Sequence, residues 1–487
     1  MQSLDLFFAR RVLKQDLTPE RELFLATLMQ VSRQGHLCWK TTEMLDWALS
    51  EGGPVVRDGD RYYLQRNWAY ETLILEQVER LRSLPPPTFH DGERFSHDLE
   101  EAKLLPLQRK AIEMAFQSRF SLICGGPGTG KTYTAGFLVR LLLASRKKEK
   151  YKVVLTAPTG KAATNLQASI GTLEAQTMTL HRLLKIVPGE NRLFSVKKID
   201  ADLVVVDEAS MMDVPLLAQL LASISGETRL VLLGDPDQLP PVEAGSLFAE
   251  MADLFAVRLT ESKRTNVAHL QALAEGVNKG EFDSALRLDW AFDNALSNRL
   301  FEAVQPFLSW DEPDPAVCLQ ELGRYRVLGA LRQGPFGIDA LNRQIVQEMG
   351  RRIRPGQWWA IPIMITSNEP RQELYNGTCG VLVGRSRGGV HLRDGTAYFP
   401  ERVPFSKLPP FEVAFCLSVH KSQGSEFDRV LALFPAGSEN FGREAFYTAV
   451  TRAKSEVKIV AEDGVLQTML AKRSRKTSGF TERFKII

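Results

Sequence analysis

Gly125-Gly126-Pro127-Gly128-Thr129-Gly130-Lys131-Thr132 decides how the rest of the chain is read. It fits the spacing G-x-x-x-x-G-K-S/T, and its surroundings agree. An apolar run, residues 120–124, stands before it, and Phe137, Leu138, Leu141 and Leu142 follow at helical spacing. Glycines let a backbone wrap closely around oxygen atoms, with N–H groups pointing inward. The start of a helix adds partial positive charge facing the same point. The stretch therefore predicts a triphosphate site, with Lys131 reaching the β- and γ-phosphates and the Thr132 hydroxyl on Mg²⁺. An incidental glycine-rich turn would lack the strand before and the helix after. The loop alone does not separate kinases, transporters, GTPases and motors.

Outward from the loop, residues 152–156, 203–206 and 230–233 are short runs of Val, Leu and Ile bounded by turn residues. They are apolar on both faces, which predicts an α/β fold with a parallel sheet covered by helices. Asp207-Glu208-Ala209-Ser210 follows the second run and so falls at the C-terminal edge of that sheet, where open α/β folds bind ligands. Asp207 suits the Mg²⁺ shell, directly or through water, and Glu208 is placed to take a proton from an attacking water. An isolated Asp-Glu pair more often opens a helix, but downstream of a phosphate loop the catalytic role is favoured. No guanine-reading Asn/Thr-Lys-x-Asp segment occurs, which argues against a GTPase. Gly234-Asp235-Pro236-Asp237-Gln238-Leu239-Pro240-Pro241 leaves the same edge, and Gln238 there could report whether a γ-phosphate is present.

The chain divides into three by pattern. Residues 1–100 read as a mostly helical module ending in a linker with Pro85-Pro86-Pro87. Residues 101–262 hold the runs above, and residues 263–487 form a second alternating region with strands near 362–366, 414–418, 430–434 and 457–460. Within that second region, residues 375–411 are glycine-rich and alternate over 380–383 and 389–392, predicting a small β-barrel insertion. Residues 183–199 read as a β-hairpin insertion turning at Pro188-Gly189-Glu190-Asn191.

Composition bounds these expectations. With 487 residues, 44% hydrophobic and 24% charged, the chain predicts a soluble protein of two to four domains. No bilayer-spanning run or signal core is visible, so the cytoplasm is expected. The five cysteines are scattered without metal-ligand spacing, which argues against zinc and iron–sulfur sites. A net charge of +3 does not announce a nucleic-acid binder, although a local basic groove is compatible with it.

The phosphate loop, Thr156-Ala157-Pro158-Thr159-Gly160-Lys161-Ala162-Ala163, the Asp207 segment and the Gly234 segment resemble successive motifs of superfamily-one helicases. Val419-His420-Lys421-Ser422-Gln423-Gly424-Ser425-Glu426-Phe427 and Tyr447-Thr448-Ala449-Val450-Thr451-Arg452-Ala453 resemble the last two. Six motifs in order are a specific signal. Within that superfamily, Leu331-Arg332-Gln333-Gly334-Pro335-Phe336-Gly337 and Gly424-Ser425-Glu426-Phe427-Asp428 are similar to the RecD family, subunits of bacterial RecBCD complexes.

The resemblance implies tandem RecA-like P-loop motor domains, with an SH3-like character for the barrel insertion. It implies an ATP-dependent 5′→3′ DNA helicase, with RecB-like and RecC-like partners and nuclease activity on a partner subunit. Gln108 would read the adenine, Gln238 would sense the γ-phosphate, and Gly424 and Glu426 would face the nucleotide. Arg264 and Arg452 would be arginine fingers, although Arg264 also fits an ordinary surface arginine. Thr265 departs from the family, which often has Gln there, and this bears on a secondary contact. Pro158, Thr159, Lys161, His181, Ser418, His420 and Lys421 would contact DNA, the two histidines being equally compatible with structural roles. The 183–199 hairpin would be a strand-separating pin or a plain connection. A standalone RecD-like or relaxase-type helicase is the near alternative, and an ATP-regulated, non-hydrolysing assembly module the distant one.

Overall fold

The computed structural model describes every residue except 1–2, 14–17, 43–52, 88–89, 148, 172–174, 187–196, 242–244, 262–267, 305–310, 400 and 487. Near the N-terminus, β1 (Cys38–Lys40), β2 (Val55–Asp58) and β3 (Arg61–Leu64) form an antiparallel sheet in the order β1-β3-β2. Helices Ser3–Leu13, Pro19–Arg33 and Gln65–Ser83 surround it. This small sheet beside the helices was not expected: strands of three or four residues are too short for their alternation to stand out. Helix Gln65–Ser83 lays Ile74, Leu75, Val78 and Leu81 into the same core as Leu217, Leu220 and Leu221 of helix Val214–Ser223.

The first α/β lobe holds β4 (Phe120–Gly125), β5 (Val153–Ala157), β6 (Ala175–Thr179), β7 (Leu203–Val206), β8 (Arg229–Gly234) and β9 (Ala256–Leu259). They form one parallel sheet in the order β6-β5-β7-β8-β4-β9. Residues Leu203 to Val206 are all fully buried, with Val204 and Val206 in the core on one face and Leu203 and Val205 in the core on the other. Burial on both faces is why the run is continuously apolar. The edge strands β6 and β9 carry exposed Gln176 and Arg258, and neither stands out as an apolar run.

After β10 (Tyr325–Gly329) comes an antiparallel ladder: β11 (Trp358–Ile365), β12 (Cys379–Arg385), β13 (Thr396–Tyr398), β14 (Arg402–Pro404) and β15 (Phe411–Val413). Its order is β14-β13-β12-β11-β15. The second lobe's parallel sheet is β16-β10-β17-β18, adding β16 (Cys416–Ser418), β17 (Phe427–Phe434) and β18 (Ala453–Ala461).

Four expectations are corrected here. The run at 362–366 belongs to β11 and pairs antiparallel with β12 and β15, not with the parallel sheet. A buried apolar strand looks alike in either setting. The insertion therefore extends beyond 375–411 on both sides, and its described strands make an open ladder with edges at β14 and β15 rather than a closed barrel. Residues 389–392 are no strand: Gly388 and Gly389 take positive φ and a single 3₁₀ turn, Leu392–Asp394, follows. The near arm of the 183–199 hairpin is no strand where it is described: Leu183 ends helix Leu180–Leu183, Leu184 caps it, and Ile186 N–H folds back to donate to His181 O. The hairpin turn itself lies outside the described residues.

Beyond helix Val465–Ala471 the chain returns to the first lobe and the N-terminal sheet. Leu37 N–H donates to Thr477 O at 2.9 Å, and Phe480 is fully buried in the core that holds Ile74 and Leu217. Glu71, also fully buried, accepts from Arg483 Nη1 at 3.0 Å, Gly479 N at 3.2 Å and Tyr63 Oη at 3.2 Å. Replacing Glu71 by alanine strands all three donors, so Glu71→Ala is expected to cost about 3 kcal/mol of stability. Chemical denaturation checks this; an unchanged midpoint would show that the returning segment is not held there. Among the described residues no helix is long and apolar enough to cross a membrane.

Candidate active site

The phosphate loop leaves β4 and enters helix Lys131–Ala144. Gly128 and Gly130 take left-handed φ of +77° and +84°, which glycine adopts without strain. At Gly130 a Cβ would also stand 2.7 Å from Gln108 Nε2. Lys131 Nζ donates to Gly125 O at 2.6 Å and Gly126 O at 3.1 Å, and Thr129 Oγ1 donates to Gly126 O at 2.8 Å. Gln108 is buried behind the loop. Its Nε2 donates to Thr129 O at 3.4 Å and its Oε1 accepts from Leu105 N at 3.2 Å. One end of that amide thus holds the loop, and the other caps the start of its own helix, Pro106–Gln117.

Thr132 Oγ1 donates to Asp207 Oδ2 at 3.4 Å, so two hard oxygen donors meet at the loop's mouth. That donor set fits Mg²⁺, which is held by one or two carboxylates together with substrate phosphates. Among the described residues no group of three His, Cys, Asp or Glu could hold a metal by itself. Asp207 Oδ1 accepts from Glu208 N at 2.8 Å. Glu208 itself has φ +51°, a conformation rare outside glycine and typical of functional strain.

Both carboxyls are pushed up. Burial is the main cause at Asp207, opposed by the Glu208 N–H and Lys131. At Glu208 burial is again first and the Asp207 charge second, opposed by Arg452 and Lys131. A carboxylate raised in this way is a better acceptor for a proton from water.

The second lobe completes the site. Arg452 is 3% exposed, and its guanidinium donates from Nε to Thr448 O at 3.2 Å and from Nη1 to Ser425 O at 3.1 Å. Its charge is felt at Glu208 in the first lobe. Tyr447 Oη donates to Asp235 Oδ2 at 3.0 Å and would stand 3.0 Å from a Cβ at Gly126. Sequence reasoning missed Tyr447 as a site residue, because a contact between lobes leaves no mark on local spacing. Gln238 Nε2 donates to the same Asp235 oxygen at 3.2 Å, while its Oε1 is buried without a partner among the described residues. Leu239, next to it, is gripped from the second lobe by Thr448 Oγ1 at 2.8 Å and Gln423 Nε2 at 2.9 Å.

Gly125, Gly126, Pro127, Asp235, Asn278 and Tyr447 line a cleft of about 180 Å³ between the lobes. Glu426 faces Pro127 and Gly128 across a smaller one. Gly424 takes φ +69°. Arg264 lies outside the described residues.

The expected DNA contacts are less uniform. Thr159 caps helix Gly160–Ile170, accepting from Ala162 N at 3.3 Å, and Pro158 beside it is half-buried. A Cβ at Gly160 would stand 3.1 Å from the Tyr375 ring, so this helix start abuts the antiparallel ladder's loop. His181 is exposed. Ser418 is buried and accepts from Lys421 N at 3.3 Å. His420 sits edge-on to Phe441 with centroids 5.9 Å apart, and burial pushes its pKa down. Lys421 pairs with Glu412 at 2.7 Å, and Lys161 donates to Ser425 Oγ, also at 2.7 Å.

Comparison with known proteins accords with this geometry. A model described as an AAA domain matches residues 103–294, and one described as a UvrD-like helicase C-terminal domain matches residues 413–460. The RecBCD enzyme subunit RecD of Mycolicibacterium smegmatis is 32% identical over 475 residues, covering 89% of this chain and 84% of that one. Its counterpart in Haemophilus influenzae is 31% identical, covering 76% and 71%. The ATP-dependent RecD2 DNA helicase of Deinococcus radiodurans is 30% identical over 87% of this chain but only 59% of its own length. Among solved structures, the Pif1 helicase of Candida albicans aligns with a TM-score of 0.45 at 17% identity, covering 79% of this chain and 99% of that one. From the extent of its match to the RecD subunits, the chain belongs to the RecD family.

Proposed function

We propose that this chain is an ATP-driven DNA helicase subunit, moving 5′→3′ on one strand within a RecBCD-type complex. One arrangement carries the proposal: Arg452 of the second lobe lies near enough for its charge to act on Glu208 of the first, and Tyr447, on the helix that ends just before Arg452, donates to Asp235 there, so the hydrolytic site is whole only when the lobes are together. Closing on ATP and loosening after cleavage then become relative movement of two lobes. Lys131 and the loop N–H groups hold the phosphates, Glu208 takes the proton of the attacking water, and Arg452 meets charge developing on the transferred group. Mg²⁺, held by Thr132 and Asp207, would neutralise phosphate charge. Gln108, which braces the loop, is also the residue proposed to face the adenine. Gln238 has a free buried acceptor beside Asp235 and is the proposed γ-phosphate sensor.

RecB-like and RecC-like chains are the proposed partners, since the relatives that match over most of their length are RecBCD subunits. The standalone alternative rests on a relative of which this chain spans only 59%. The test is ATP turnover with and without single-stranded DNA, followed by displacement of streptavidin from biotin at either end. Turnover should rise with DNA, and displacement should be faster from the 3′ end. Faster displacement from the 5′ end would overturn the polarity. Duplex unwinding by the chain alone would favour the standalone alternative, and negligible turnover would favour an assembly module.

A further inference from the structure

Lys161 stands in the segment that resembles a DNA-contact motif, yet its ammonium has a partner inside the protein. Its ammonium donates to Ser425 Oγ in the other lobe at 2.7 Å. The same helix, Gly160–Ile170, makes a second crossing: Asn165 Nδ2 donates to Gly424 O at 3.3 Å. Gly424 also faces Ala162 of that helix, since a Cβ built on it would stand 3.7 Å from Ala162 Cβ. The turn at residues 424–425 is therefore joined to the first lobe by two hydrogen bonds from one helix. That turn is also where Arg452 is fixed, because Ser425 O accepts from Arg452 Nη1 at 3.1 Å.

The electrostatic setting agrees. Burial weakens the Lys161 ammonium, and Arg326, Arg452 and Lys454 act on it as like charges. A buried donor of this kind needs a partner, and the Ser425 hydroxyl supplies one. Ser425, for its part, has one oxygen toward each neighbour: its hydroxyl to Lys161 and its carbonyl to Arg452.

We propose that Lys161 is a latch between the lobes rather than a strand contact, and that Ser425 is a positioning residue through which this latch holds Arg452 in reach of Glu208. The proposal rests on the hydrolytic reading of the site. It predicts that engagement of the helix that opens at Thr159 and Gly160 is transmitted to the arginine through one residue.

The test uses the full chain with Lys161→Met, Ser425→Ala, Ser425→Thr and the double variant Lys161→Met/Ser425→Ala. Two quantities are read: steady-state ATP turnover with saturating oligo-dT, and the salt dependence of oligo-dT binding. If the latch operates, Lys161→Met and Ser425→Ala each lower kcat about five- to tenfold with KM for ATP little changed. The double variant is then no worse than either single one, as expected for two ends of one interaction. Ser425→Thr, which keeps a hydroxyl, retains most of the activity. The slope of log affinity against log salt stays at the unaltered value in all four.

A phosphate contact behaves differently: Lys161→Met would flatten that slope by about 0.7, the loss of one neutralised phosphate on a single strand, while Ser425→Ala kept full turnover. That result overturns the latch, as do additive losses in the double variant. An unaltered chain without turnover would instead overturn the proposed function, which separates the two failures.

Discussion

Replacing Arg452 by alanine is expected to lower kcat for DNA-stimulated ATP hydrolysis about a thousandfold or more. The guanidinium is buried and fixed by the carbonyls of Thr448 and Ser425, so it is already oriented before reaction. Preorganised charge of this kind contributes most where new negative charge appears, which is in the transition state. KM for ATP should therefore change little, with kcat and kcat/KM falling together. Arg452→Lys should rescue poorly, because one ammonium cannot reproduce the planar fork that reaches both carbonyls. Single-turnover and steady-state rates across a range of ATP concentrations check this. A kcat within tenfold of the unaltered chain would remove Arg452 from the reaction.

Lys131→Ala is the second large effect. Its loss should lower turnover about a hundred- to thousandfold, the scale of removing one preorganised donor from an anionic transition state. Here nucleotide affinity should fall as well, because the ammonium also serves the ground-state phosphates. The fold should survive. The ammonium bonds only the carbonyls of Gly125 and Gly126, which line the open cleft where water can replace it. The measurements are binding of a fluorescent ATP analogue, ATP turnover, and thermal unfolding. A variant that hydrolysed ATP and translocated at full speed would defeat the nucleotide site itself.

How much was legible beforehand follows from what each feature depends on. β7 was visible because burial on both faces writes one continuous apolar run. Edge strands β6 and β9 bury less and carry polar residues, so they did not register. β11 was found as a strand but assigned to the wrong sheet. An apolar run records burial, whereas the direction of its partners is decided by where the chain goes next. The phosphate loop and the Asp207–Glu208 pair are local in sequence, and the structure brings Lys131, Thr132, Asp207 and Glu208 together. Tyr447 on Asp235 and Lys161 on Ser425 are separated by more than two hundred residues, as their numbering shows, and no local pattern encodes such a meeting. Lys161 and Lys421 were expected to contact DNA from the resemblance of their segments to helicase motifs, and only packing revealed that both ammoniums have protein partners.

The returning segment that buries Phe480 and satisfies Glu71 has a mechanical consequence. The second lobe is suspended from the first at both ends of its own stretch of chain, like a door hung on two hinges rather than one. A body tied at two places has less freedom to separate than one tied at a single place. Relative motion of the lobes is therefore bounded by two tethers, so they can part by less than a single connection would allow.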